Sequence, residues 1–68
     1  MKVAKEKIMM SIIVLIEDNE NNAKLMFKIL QAKGHTIHRA PNALTGIKLV
    51  GKLNPDLVLL DFGLPDLD

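Results

Sequence analysis

Three short apolar runs alternate along this chain with two stretches of helical periodicity. The first run, Ile12 to Ile16, is aliphatic and mostly β-branched, does not alternate, and closes on two acids, Glu17 and Asp18. Unbroken hydrophobicity of that length predicts a strand buried on both faces, as in a parallel sheet. In "NENNAKLMFKILQAKG", Ala23, Met26, Phe27 and Leu30 recur at helical spacing, with Glu20, Lys24, Lys28 and Gln31 on the opposite side. Asn19 suits the N-cap of this helix, Gly34 suits its stop, and Met26 is expected in the core. "HTIHRA" predicts a second and more polar strand. "PNALTGIKLVGKLN" predicts a second helix, capped by Asn42, with Leu44, Ile47, Val50 and Leu53 on one face. Gly46 and Gly51 weaken it by about 1 kcal/mol each relative to Ala. Pro55 stops that helix, and Leu57 to Leu60 form a third apolar strand, read as buried, that ends on Asp61.

The order β-α-β-α-β places the chain in the α/β class, with a three-stranded parallel sheet and right-handed crossovers. Strand orders 1-2-3 and 2-1-3 both satisfy the connections. The polar strand belongs at an edge and the two apolar strands side by side, which favours order 2-1-3 with one helix on each face. Residues 1–10 read as an N-terminal extension and residues 11–68 as one small domain.

Composition narrows the function classes. With 68 residues and no cysteine, neither a disulfide nor a thiolate metal site contributes to stability. Nine basic and eight acidic residues leave a net charge of +1, which makes no electrostatic case for nucleic acid or an anionic membrane. No apolar run approaches the ~18 residues of a membrane span. Lysines precede the first apolar run, but that run stops at Glu17-Asp18 without the small-residue cleavage site of a signal peptide, so the expected location is cytoplasmic.

The chemistry lies in the acids. In open parallel sheets, ligands bind beyond the carboxyl ends of the strands, where the strand order reverses. In order 2-1-3 that point falls between strands 1 and 3, which deliver Glu17, Asp18 and Asp61. Crowded carboxylates need a counter-charge, and Mg²⁺ with its preference for oxygen ligands supplies one. Glu17, Asp18 and Asn19 also suit a helix-capping cluster, and Asp61 an ordinary strand-ending acid; capping and metal binding are compatible. His35 and His38, three apart on an edge strand, point to opposite faces and read as two unrelated surface histidines.

These residues resemble the first half of the receiver domain of two-component response regulators, over residues 12–68. The resemblance rests on the acidic pair after the first strand, the "GHTIHRA" strand, and Asp61 followed by x-x-L-P-D-x-D. It implies half of a flavodoxin-like receiver fold, with Asp61 as phosphoacceptor. It also implies that Glu17, Asp18, Asp61 and the Gly63 carbonyl hold Mg²⁺, and that Pro65 shapes the loop after Asp61. The implied partner is a histidine kinase or phosphotransfer protein. A complete receiver carries two further strands, a Ser or Thr after the fourth strand and a Lys after the fifth, so the expectation is a truncated receiver. Asp68 stands where the family's D-G pair begins, without its glycine.

Two functions follow as expectations: a phosphorelay receiver acting through Asp61, or a receiver-like interaction module without productive phosphorylation. No second catalytic group accompanies the acids, so an enzyme with turnover is not expected. An apolar third strand left as an open edge favours self-association, as a homodimer or larger assembly, through that edge.

Overall fold

A computed structural model of the chain describes residues 11–61, so the expected extension over residues 1–10 and the expected roles of Gly63 and Pro65 lie outside the described residues. Within them the order is β1 (Ile12–Ile16), α1 (Glu20–Ala32), β2 (Thr36–Ala40), α2 (Ala43–Leu53) and β3 (Leu57–Leu60). The strands form one parallel sheet in the order β2-β1-β3. Both the class and the order match the expectation from the hydrophobic pattern.

Local chemistry sets the element ends. The Asn19 side chain accepts the Asn22 N–H at 2.9 Å and starts α1, and Asn42 accepts the Thr45 N–H at 2.9 Å and starts α2. Each cap satisfies one of the amide donors that a helix start leaves without a partner. Gly34 follows α1 at φ 93°, a region that costs glycine little. The end of α2 uses a different residue. Asn54 takes the left-handed conformation at φ 50° and donates its N–H to the Val50 carbonyl at 3.0 Å. At the amino edge of the sheet, Asp56 brackets Ile12, its carboxylate accepting the Ile12 N–H at 2.7 Å and its own N–H donating to the Ile12 carbonyl at 2.8 Å.

The alternation along β1 builds two cores. Ile13 and Leu15 face α1 and pack with Ala23 and Ile37, with Met26, Phe27, Leu30 and Leu59 around them. Val14 and Ile16 face α2 and pack with Ala40 and Ala43, flanked by Leu49, Val50 and Leu53. One helix therefore covers each face, and Met26 joins the core margin as expected.

Two expectations need correction. Leu44 and Ile47 do not form the buried face of α2; they are 65% and 66% exposed. The sheet meets Ala43 and Gly46 instead, because small residues let the helix backbone approach closely, whereas the sequence reading followed the large apolar side chains. Similarly, β3 is not buried: Leu57, Val58 and Leu60 are exposed, since among the described residues β3 pairs only with β1.

Gly46 is a structural requirement rather than a weak point. A Cβ added there would overlap the Cδ1 of Ile16 and lie 2.6 Å from its Cγ1, whereas at Gly51 it would meet nothing within 4 Å. Gly46→Ala is expected to destabilise the chain by about 1–2 kcal/mol, since overpacking outweighs helix propensity. Gly51→Ala should stabilise by about 0.5–1 kcal/mol. Urea denaturation of both variants checks the opposite signs.

Candidate functional site

Parallel pairing carries the acids to one place. The register sets Ile16 beside Ala40 on one side and beside Leu60 on the other. The ladder continues one step further: the Glu17 N–H donates to the Ala40 carbonyl at 3.0 Å, and the Asp61 N–H donates to the Ile16 carbonyl at 3.1 Å. Glu17 and Asp61 are thus the first residues past two adjacent strand ends. By alternation, Glu17 follows Leu15 and Asp61 follows Leu59, so both lie on the α1 face. Leu15, Glu17, Met26, Leu59, Leu60 and Asp61 line a 280 Å³ depression there.

Asp18 completes the group. Glu17, Asp18 and Asp61 each present one carboxylate oxygen within 4.8 Å of the others. Their surroundings differ, because Glu17 is buried at 9% exposure, Asp61 is half-buried and Asp18 is exposed. The Glu17 carboxylate accepts the Asn19 N–H at 3.2 Å, so Asn19 orders the acidic turn with its backbone while its side chain caps α1. Capping and clustering of the acids therefore coexist in one turn.

Burial pushes the Glu17 carboxyl above the usual carboxylate range, and the Asn19 N–H pulls the other way. A hydrogen bond with the Asp61 carboxyl and the negative charges of Asp61 and Asp18 raise it further. Carboxylates crowded in this way favour any counter-charge placed between them, a proton included. A divalent cation could take the same place. Octahedral Mg²⁺, with bonds of about 2.1 Å, takes oxygens up to about 4.2 Å apart, inside the 4.8 Å that bounds the separation of these oxygens. The donor set fits Mg²⁺, with direct or water-mediated bonds from the three carboxylates.

The sequence-derived site residues Glu17, Asp18 and Asp61 are brought together, and Gly63 lies outside the described residues. The histidines stay apart from them. His38 sits within β2, while His35 precedes the strand and its Nδ1 accepts the Ser11 N–H at 3.3 Å. Arg39 is the residue that sequence reasoning missed. Its guanidinium donates to the Glu17 carbonyl at 3.0 and 2.9 Å and to the Asp18 carbonyl at 3.3 Å. Its only sequence signal is a basic residue near the end of the second strand, which means nothing until the register with the first strand is known.

The family model for the response regulator receiver domain matches residues 13–68. The polar-differentiation response regulator DivK of Brucella anthropi is 37% identical over 54 residues, which cover 79% of this chain and 44% of that protein. The DivK proteins of Brucella ovis and Brucella suis are each 35% identical over 54 residues, with the same coverage. The chain thus spans less than half the length of these curated relatives. No solved structure gives a significant match.

The raised Glu17 carboxyl predicts a pH-dependent cost in metal-free buffer. Because the folded value lies above the unfolded one, this carboxyl favours the folded state less as pH rises through its folded value. Glu17→Gln should therefore raise the urea midpoint at pH 7 with a chelator present, and the gain should vanish below about pH 4, where a free Glu is protonated. Denaturation curves at the two pH values check this.

Proposed function

Because the chain belongs to the response regulator receiver family, we propose that it accepts a phosphoryl group on Asp61 at a Mg²⁺ site formed with Glu17 and Asp18. The observation that carries this reading is the convergence of the three carboxylates at the carboxyl ends of β1 and β3. Receiver domains of this family work with histidine kinases or phosphotransfer proteins, so the proposed donor is a phosphohistidine on such a partner. Asp61 acts as nucleophile. One carboxylate oxygen forms a bond to phosphorus as the phosphorus–nitrogen bond of the donor breaks, and the imidazole leaves with the nitrogen electron pair and takes up a proton. The product is an acyl phosphate on Asp61.

The chain's residues supply position and charge, which is most of what phosphoryl transfer needs. The β1–β3 pairing holds the Asp61 backbone, and the half-buried carboxylate keeps an edge open to the donor. Glu17 and Asp18 would hold the cation, Asp18 from the exposed side and Glu17 from the buried side. When bound there, Mg²⁺ would supply neutralisation of the charge that builds up during transfer. The chain acts as a stoichiometric acceptor rather than a turnover enzyme, and in the cytoplasm, where a kinase domain meets it. Among the described residues no helix is long and apolar enough to cross a membrane.

Association belongs to the same reading. Among the described residues the outer edge of β3 has no partner strand; with the apolar groove between it and α2, lined by Ile16, Ala43, Ile47, Val50, Val58 and Leu60, it suits a second copy of this chain. Sedimentation at micromolar concentration should give a dimer or larger species, and a folded monomer would remove this part of the proposal.

The phosphorylation test uses the chain with Mg²⁺ and either acetyl phosphate or a phosphorylated histidine kinase, read by intact mass. One phosphoryl increment is expected, lost with a chelator and in Asp61→Asn. Incorporation that persists in Asp61→Asn would show that another residue is the acceptor.

A further inference from the structure

Arg39 is the next-to-last residue of β2, on the sheet face it shares with Ile37. Its Nε and Nη2 both donate to the Glu17 carbonyl, at 3.0 and 2.9 Å, and Nη2 also donates to the Asp18 carbonyl at 3.3 Å. Those carbonyls lie where the chain leaves the sheet. The Glu17 N–H still bonds to the Ala40 carbonyl, but the β1–β2 register ends at Ile16 and Ala40. A side chain therefore takes over from the backbone ladder at the two residues that carry the acidic pair. Asn19 holds the same turn from the helix side through its N–H bond to the Glu17 carboxylate.

We propose that Arg39 is a positioning residue, whose fork fixes the Glu17–Asp18 peptide and so aims the acidic pair at the divalent cation, an inference that rests on the metal-site reading above. Geometry and charge make opposite demands here. A guanidinium beside a cation site repels the ion, so a role through charge alone would weaken metal binding. A role through the fork strengthens it, because two donors on one carbonyl fix the orientation of the peptide plane. Lysine keeps the charge but offers a single ammonium without the planar fork. Methionine keeps an apolar stem of similar reach and offers no donor.

These differences separate the outcomes for the 68-residue chain. Two measurements are made on the wild type, Arg39→Met and Arg39→Lys: Mg²⁺ affinity by calorimetry, and metal-free amide exchange and ¹⁵N relaxation at Asp18 and Asn19. Arg39→Met should speed exchange at these amides and raise the Mg²⁺ dissociation constant by roughly tenfold, the low end of the usual effect of removing an outer partner of a metal ligand. Arg39→Lys should move both readings the same way by a smaller factor. Tighter or unchanged Mg²⁺ binding in Arg39→Met would overturn the proposal, as would an Arg39→Lys variant that matches the wild type in both. If Arg39→Met loses its dispersed amide spectrum, the folded Arg39→Lys variant carries the test. A wild type that binds no Mg²⁺, while Arg39→Met still loosens the turn, overturns the metal-site reading and leaves Arg39 supported as the clamp of the turn.

Discussion

Parallel pairing of β1 on both of its edges is the constraint on which the rest of this structure depends. Ile13 to Ile16 are at most 4% exposed, because β1 has a strand on each side and a helix on each face. Parallel strands share a direction, so their carboxyl ends come out together. Any polar residue placed just past those ends is delivered to a common edge. Glu17 and Asp61 are such residues, and Asp18 follows one of them. The convergence of like charges is a consequence of the sheet and not of any attraction between the acids.

That convergence works against folding. The desolvated Glu17 carboxyl is pushed up by burial, and the hydrogen bond to Asp61 and the charges of its acidic neighbours push it the same way. A cation held among the three acids would turn the same crowding into binding energy. A cluster that is costly when empty of counter-charge is suited to holding one. Around it the neutral and cationic donors act on backbone and carboxylate alike: the Asn19 N–H on Glu17, and Arg39 on the carbonyls of the acidic turn.

The two faces of the sheet are finished differently. On the α1 face, large side chains such as Phe27 and Leu30 reach down to the strands. On the α2 face, Ala43 and Gly46 allow the helix backbone itself to settle on Ile16. The close approach at Gly46 leaves Leu44 and Ile47 outside the contact, and the groove toward β3 remains apolar and open. Exposed apolar area of this kind usually marks a surface that another element or another molecule covers.

Much of this was legible in the sequence, for reasons that are local. Unbroken apolar runs, helical spacing, and asparagine caps at Asn19 and Asn42 depend on residues a few positions apart, so element type and order could be read directly. The candidate acids were legible because strand ends are, and an α/β chain puts strand ends together. Packing beyond that range decided the rest. The face that α2 buries depended on how closely two backbones approach, which hydrophobicity does not encode and which Gly46 permits. The role of Arg39 depended on which residue of β2 lies beside the end of β1. The raised Glu17 carboxyl depended on burial and on a neighbour 44 positions away. Local pattern determined what the elements are and what chemistry they carry. Tertiary structure alone decided register and proximity, because hydrogen-bond ladders between distant segments and the fit of side chains into one core are properties of the assembled sheet.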